Sequence, residues 1–259
     1  MILDAHTHAV LGTDPEAARH LVESMQKAGI DKALVIGGAI PQSPQKDLLK
    51  TIAPYSDRLF AVGSISPLKE PLPAPSEIDQ LFAEGKLHGL KFYTGYEHFY
   101  PSDPRLVPYL DVLVKYNRPA IFHSGDTWSE RGGAKLKYAM PIHIDDLATD
   151  MPSLKIVVAH LGYPWVIDAA EVMYKNKNVY ADCSGFVYGE FTAEHEANFT
   201  HYAKEFIRVA GTTERIMFGT DWPISDQPSY VRVAQKVFAS APGVMGETAA
   251  KLFGVVIRD

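Results

Sequence analysis

Short runs of apolar residues alternate with longer amphipathic stretches along the whole chain. Each run has the length and composition of a buried strand, and each is followed by apolar residues at helical spacing. The pattern therefore predicts eight strands, each with a helical segment after it. The predicted strands cover residues 2–5, 33–36, 59–65, 89–93, 120–123, 155–160, 179–182 and 215–219.

Capping residues mark the ends of several predicted helices. Asp14, followed by proline, is expected to open the first helix, and Ser43, also followed by proline, the second. Ser76 is expected to cap the third helix. Asp103, again before a proline, starts the fourth, which ends near Asn117.

Eight consecutive strand–helix units predict an α/β fold, a closed (β/α)8 TIM barrel formed as a single domain over residues 1–259. Near-continuous apolar strands, such as residues 155–159, are typical of a parallel sheet with both faces covered. An open doubly wound sheet is the alternative. It would have fewer strands and usually a glycine-rich first turn, and no G-x-G-x-x-G motif follows the second predicted strand.

Composition narrows the classes of function. The chain has 259 residues and a formal net charge of −6 with no basic run, which argues against a nucleic-acid partner. Cys183 is the one cysteine, so an intrachain disulfide is excluded and a reducing compartment is expected. No signal peptide precedes the first strand and no apolar stretch is long enough to span a bilayer. A cytoplasmic location without membrane contact is the expectation.

Polar residues stand where the predicted strands end, which is where the chemistry of a βα barrel gathers. His6 and His8 share one face of the first strand, because residues i and i+2 point the same way, so together they can hold one metal ion. Alone, a His-x-His pair is weak evidence, and a strand cap beside a solvent-facing side chain is the simpler alternative. The later strand ends carry Lys91, His123, His160, Asp182 and Asp221.

The order His-x-His, Lys, His, His, Asp over eight strand–helix units resembles the amidohydrolase superfamily. Three local motifs resemble its amidohydrolase-2 branch of metal-dependent hydrolases: Gly-Leu-Lys-Phe-Tyr at 89–93, His-Leu-Gly-Tyr-Pro-Trp at 160–165 and Phe-Gly-Thr-Asp-Trp-Pro at 218–223. The segment 246–254 resembles the final helix of that branch. The branch also contains lactonases, a hydratase and decarboxylases such as aminocarboxymuconate-semialdehyde decarboxylase.

The resemblance implies one divalent metal ion held by His6, His8, His123 and Asp221, with a water completing the site. Imidazole and carboxylate ligands suit Zn²⁺ best, while Mn²⁺, Fe²⁺ and Co²⁺ are alternatives.

Lys91 separates two versions of such a site. In the binuclear branch of the superfamily, a lysine on strand four is carbamylated and bridges two ions, and His123 and His160 would then hold the second ion. The local motifs favour the mononuclear branch. Lys91 is therefore expected to face a substrate carboxylate or oxyanion, and a structural ion pair is the alternative.

The expected reaction is hydrolysis of a small organic acid, lactone, ester or amide by a metal-activated water. Asp221 would contact the metal and accept the proton of the water, and His160 would orient the water or stabilise the oxyanion. Tyr93, Tyr163 and Trp222, with Trp128 in the loop after strand five, are expected to line a pocket for a carboxylate-bearing molecule. Packing of the loops on the barrel is the alternative role for these aromatic residues.

Two other functions fit the same residues. The first is nonoxidative decarboxylation of a small unsaturated or aromatic acid, although the chain is short for such enzymes. The second is a metal-binding barrel without catalysis, which would be expected to lack a ligand or an acid–base residue, and none is missing. A homodimer is one of the assemblies left open.

Overall fold

The computed structural model describes residues 1–9, 14–37, 45–127 and 132–256. Eight parallel strands pair in chain order, β1 with β2 through to β7 with β8. The strands are β1 Leu3–Thr7, β2 Lys32–Ile36, β3 Leu59–Ser64, β4 Leu90–Phe92, β5 Pro119–Phe122, β6 Lys155–Val158, β7 Val179–Asp182 and β8 Ile216–Met217. The α-helices are α1 Ala17–Ala28, α2 Gln45–Ile52, α3 Pro75–Ala83, α4 Val107–Tyr116, α5 His143–Asp150, α6 Val166–Lys175, α7 Ala193–Ala210, α8 Gln227–Val237 and α9 Glu247–Phe253.

Backbone hydrogen bonds bring the last strand back to the first. The N–H of Ala5 donates to the carbonyl of Phe218 at 2.9 Å, and the N–H of His8 donates to the carbonyl of Trp222 at 2.7 Å. The sheet is therefore a nearly closed barrel, which confirms the predicted TIM-barrel architecture. Consecutive strand order is incompatible with the open doubly wound alternative.

Two apolar layers hold the barrel together. One lies between the strands and the surrounding helices, and the other fills the interior, where alternate strand residues such as Leu34 and Ile36 meet. Helix α9 contributes Leu252 and Phe253 to the interior layer. The carbonyl of Phe253 accepts a hydrogen bond from His88, just before β4, so α9 covers the N-terminal ends of the strands. The C-terminal ends form the mouth.

Three strands end two residues away from the predicted position, and β3, β4 and β5 each end one residue earlier than predicted. Strand β1 continues to Thr7 and so contains His6, whereas β6 ends at Val158 and β8 at Met217. His160 and Asp221 have φ angles of 60° and 66°. This left-handed conformation is incompatible with a strand, so both residues lie in the turns that follow.

The predicted helix starts were partly wrong. Helix α1 begins at Ala17, and Asp14 instead accepts a hydrogen bond from the N–H of Glu16 in the preceding turn. Helix α3 begins one residue before Ser76, with Ala74 at the cap position. Asp103 does cap a 3₁₀ turn that leads into α4, and Asn117, in a left-handed conformation, follows the end of that helix as predicted.

Ser43 lies outside the described residues. Among the helices that the structure describes, none is both long and apolar enough to cross a membrane.

Candidate metal centre

Buried polar side chains gather at the mouth of the barrel, at the C-terminal ends of six strands. Each of them is at most 8% exposed. The opposite end of the barrel is closed and apolar. Burial of so many ionisable groups is costly unless they are paired or bind a metal. The group consists of His6, His8, Lys91, His123, His160, Asp182 and Asp221.

Three of these residues are close enough to hold one cation. Oδ1 of Asp221 lies 3.1 Å from Nε2 of His8 and 3.7 Å from Nε2 of His6. One ligand atom from each of the three residues lies within 4.8 Å of the other two. The N–H of Asp221 donates to the carbonyl of His6 at 2.8 Å, which ties the turn after β8 to β1.

The hydrogen bonds made by Nδ1 of His6 and by Nδ1 of His8 identify Nε2 as the ligand atom of each ring. Nδ1 of His6 lies 3.0 Å from Oδ2 of Asp182, and Nδ1 of His8 lies 3.3 Å from the carbonyl of Ile36. A carboxylate and a carbonyl only accept, so each Nδ1 must donate, and each neutral ring has its lone pair on Nε2. Nε2 of His8 and Oδ1 of Asp221 are thus two acceptors facing each other. A cation between them satisfies both, and the donor set fits a divalent metal ion.

Burial keeps the rings of His6, His123 and His160 uncharged. It lowers the pKa of His6 to about 3, with Lys91 acting in the same direction. Burial also lowers the pKa of His123 well below its ordinary value and lowers that of His160. Burial alone would raise the pKa of Asp221, but its contacts with His8 and the other neighbouring histidines bring it below its usual range. Neutral imidazoles beside an ionised carboxylate are the forms in which these groups bind metal.

His123 lies beside this group rather than in it. Its Nε2 donates to the carbonyl of Asp126 at 2.9 Å, so its lone pair is on Nδ1. The centre of its ring is 5.0 Å from the ring of His160 and 4.6 Å from that of Tyr96. Of the four metal ligands that the sequence predicts, the structure therefore brings together three and places the fourth next to them.

His160 lies in the turn after β6, and its ring contacts residues that are distant in the sequence. Its Nδ1 lies 2.9 Å from Oγ of Ser184 and 3.3 Å from the carbonyl of the same residue. Its ring centre is 4.8 Å from the ring of His6. His6, His160 and Asp182 form a second set of three possible ligands within 4.8 Å of one another.

Lys91 contacts the ligand group directly. It is 1% exposed, and its Nζ lies 3.3 Å from Nε2 of His6 and 5.5 Å from the centre of the Tyr93 ring. Burial lowers the pKa of Lys91 to about 8, although Asp182 and Asp221 act in the opposite direction. The lysine is thus a cation at the floor of the mouth.

The aromatic residues predicted to bind substrate make structural contacts around the mouth. The hydroxyl of Tyr93 donates to the carbonyl of Gly37. The ring of Tyr163 packs 4.8 Å from that of Phe186, and half-buried Trp222 supplies a backbone carbonyl to the N–H of His8. These contacts fix the loops that surround the site. Trp128 lies outside the described residues.

Two buried carboxylates that support the site, Asp4 and Asp182, are given no role by the sequence pattern. Buried Asp4 accepts hydrogen bonds from the N–H of Thr220 at 3.0 Å and from its hydroxyl at 2.6 Å, next to Asp221. Burial raises the pKa of Asp4 to about 7, against hydrogen bonds that lower it. Asp182 supports His6 in turn. Their positions in the sequence could have indicated both residues. Asp4 lies just before His6 on β1, and Asp182 ends β7, the strand between those that lead to His160 and Asp221.

A TIM barrel with two histidines and an aspartate converging at its mouth offers a group of side chains that could bind a metal ion. The amidohydrolase family model, of the amidohydrolase-2 type, matches residues 4–255. The chain belongs to this family, as the motifs predict.

Solved structures with this fold include both hydrolases and decarboxylases. A probable 2-pyrone-4,6-dicarboxylic acid hydrolase from Acinetobacter baumannii with citric acid bound is 15% identical, with a TM-score of 0.71 over 98% of this chain and 99% of that one. The 2,6-dihydroxybenzoate decarboxylase from Rhizobium is 16% identical, with a TM-score of 0.70 over 98% of both chains. An amidohydrolase from Burkholderia multivorans with bound zinc is 13% identical, with a TM-score of 0.68 over 99% of this chain and 100% of that one.

These similarities show the fold alone. Comparison with curated proteins gives no match.

Proposed function

We propose that this protein is a metal-dependent hydrolase that acts on a small, carboxylate-bearing molecule such as a lactone, ester or amide of an organic acid. The observation that carries the proposal is the convergence of His6, His8 and Asp221, whose ligand atoms lie within 4.8 Å of one another. Imidazole nitrogens and a carboxylate oxygen are donors that suit a divalent ion.

These three residues would hold the ion, with His123 beside them as the proposed fourth ligand. Zinc suits this donor set best, and manganese, iron and cobalt bind similar sets. One of the similar solved structures contains zinc. When bound, the ion acts as a Lewis acid and lowers the pKa of a coordinated water from about 15.7 to about 7.

The chain's own residues divide the remaining work. Asp221 is ionised and accepts the proton of the attacking water. The hydrogen on Nδ1 of His160 is committed to Ser184, so its Nε2 accepts a hydrogen bond and orients that water. Neutral His160 cannot donate from Nε2 to an oxyanion, which favours the orienting role over oxyanion stabilisation.

Lys91 provides the positive charge that binds the acid group of the substrate. Because Nζ of Lys91 lies 3.3 Å from Nε2 of His6, it would hold the acid group of the substrate next to the proposed metal ligands. Tyr93, Tyr163 and Trp222 are proposed to shape the pocket walls. The citric acid in the Acinetobacter baumannii structure supports a preference for carboxylates.

A small molecule is the proposed partner. Residues 1–259 are taken as one barrel domain in the cytoplasm, an interpretation based on the sequence pattern and the lone cysteine.

Nonoxidative decarboxylation is the second candidate, because the Rhizobium decarboxylase matches the fold as well as the hydrolase does. The bond between the substrate carbon and its carboxylate would break to release carbon dioxide, and Asp221 or His160, after taking up a proton from solvent, would protonate that carbon. Both reactions use the same residues.

Parallel assays of the zinc-loaded protein distinguish the candidates. The panel contains 2-pyrone-4,6-dicarboxylate, simple lactones, aryl esters and amides for hydrolysis, and 2,6-dihydroxybenzoate for release of carbon dioxide. We expect ring opening or acid release without carbon dioxide. Release of carbon dioxide together with the decarboxylated phenol, and no hydrolysis product, would support the decarboxylase. A metal-bound protein without turnover on any member would support the non-catalytic barrel.

Variants then test the assigned roles. Asp221→Asn and His160→Ala are expected to lower kcat by about 10²–10³, the usual effect of removing one group that acts in the transition state. His201→Ala, on the exposed face of α7, is the matched control and should retain full turnover.

A further inference from the structure

Asp182 lies at the centre of a hydrogen-bond network that joins two histidines of the mouth. It ends β7, is 2% exposed and uses both carboxylate oxygens. Oδ2 accepts from Nδ1 of His6 at 3.0 Å. Oδ1 accepts from the N–H of His160 at 3.2 Å, from the N–H of Ser184 at 3.1 Å and from the hydroxyl of Ser184.

The network needs a group that only accepts. Four donors point at Asp182, and an ionised carboxylate offers two oxygens with about four lone-pair sites. An amide in its place would offer one acceptor, and its two N–H donors would face donors of the network.

The same network fixes the proton on each ring. Nδ1 of His6 donates to Asp182 directly. The hydroxyl of Ser184 donates to Asp182, so its oxygen is left to accept from Nδ1 of His160, and the carbonyl of Ser184 accepts from the same atom. Both rings therefore carry hydrogen on Nδ1 and have Nε2 unprotonated.

The backbone of His160 depends on the same carboxylate. Its φ of 60° costs energy for a residue with a side chain, and the bond from its N–H to Oδ1 of Asp182 contributes to holding that turn. One side chain thus acts on His6 through the ring and on His160 through the main chain.

We propose that Asp182 is a positioning residue that sets the tautomer and orientation of both His6 and His160, so that a metal ligand and a water-orienting group present Nε2 together. This inference rests on the proposed function. Asp182 itself does not contact the reacting atoms. The same role explains why His6, His160 and Asp182 lie close together without forming a second metal site. Hydrogen-bond donors already occupy both carboxylate oxygens of Asp182.

The first test is the affinity of the protein for Zn²⁺, measured by competition with a fluorescent chelator. Asp182→Asn is expected to weaken zinc binding by about 10- to 100-fold, as is usual for partners of ligating histidines. Cys183→Ala, a change at the adjacent buried residue that keeps the carboxylate, is the matched control and should bind zinc as the wild type does. Equal affinity of Asp182→Asn and the control would overturn the proposal.

The second test reads the tautomers directly and does not need a variant at Asp182 to fold. ¹⁵N NMR of histidine-labelled wild-type protein, with and without zinc, should show His6 and His160 with hydrogen on Nδ1. The signals are assigned from the spectra of His6→Ala and His160→Ala. Hydrogen on Nε2 of either ring would contradict the proposal. A wild type that shows these tautomers but binds no zinc would refute the proposed function alone.

Discussion

Two glycines at the mouth matter because any side chain there would displace a histidine. A Cβ added at Gly185 would lie 2.5 Å from Nδ1 of His160, and one added at Gly219 would lie 2.9 Å from Cβ of His6. Both distances are shorter than real carbon contacts. The imidazoles of His6 and His160 therefore occupy space that the chain leaves open at these positions.

Gly185→Ala is expected to move His160 while leaving the metal ligands in place. We predict a fall in kcat of about 10²-fold, comparable with removing one orienting group, and an unchanged zinc content. Kinetics and metal analysis of the same preparation check both parts.

Gly189→Ala is a control that distinguishes displacement of His160 from backbone strain. Gly189 has a φ of +77°, close to the +73° of Gly185, but a Cβ there meets nothing within 4 Å. Equal losses of turnover in the two variants would show that strain, and not the position of His160, is responsible.

At the scale of elements, a buried polar network joins the two ends of the barrel. Asp4 on β1 accepts from Thr220, in the turn after β8, and from Nε2 of Gln227 at the start of α8 at 2.9 Å. All three residues are fully buried. The network ties the strand that carries His6 to the turn that carries Asp221.

Thr220→Val is expected to weaken this junction without changing side-chain shape. The variant removes the hydroxyl that donates to Asp4 at 2.6 Å and leaves a buried carboxylate short of a donor, at a cost of about 1–3 kcal/mol in the free energy of unfolding. Urea denaturation measures the difference. Thr213→Val, at a half-buried position whose hydroxyl forms no hydrogen bond with the described residues, should change stability little; an equal loss there would contradict the assignment.

The sequence predicted elements well and their connections poorly, for a physical reason. Apolar runs and helical stripes report burial, which is local in sequence, so all eight strands were predicted. The turns at His160 and Asp221 depend on partners far along the chain, such as the carboxylate of Asp182. The roles of Asp4 and Asp182 likewise arise only when β1, β7 and β8 meet.

Over the whole molecule, buried ionisable groups make the stability of the metal-free protein depend on pH. Burial lowers the pKa of His6, His123 and His160, in the case of His6 from 6.5 to about 3. The unfolded chain therefore takes up protons below about pH 6.5 that the folded chain does not. Asp4 acts in the opposite direction, because burial raises its pKa from 3.8 to about 7 and the folded chain holds its proton between these values.

The three histidines outnumber Asp4, so we predict that stability falls as the pH is lowered from 7 to 5. The expected slope is about 1.4 kcal/mol per pH unit for each net proton taken up on unfolding. Denaturation curves in the presence of a chelator measure it, and Asp4→Asn should make the slope steeper by removing the opposing group. A stability that is constant or rises on acidification would refute the assignment of these pKa shifts.

The metal content of the purified protein, measured after reconstitution with zinc and removal of excess ion, tests the central claim most directly. The account predicts one zinc ion per wild-type chain and loss of that ion in His8→Ala, because His8 supplies an unprotonated Nε2 3.1 Å from Asp221. His20→Ala, which changes an exposed histidine of α1, should retain the ion. A wild-type chain without zinc, a His8→Ala chain that retains it, or two ions with a carbamylated Lys91 would contradict the account.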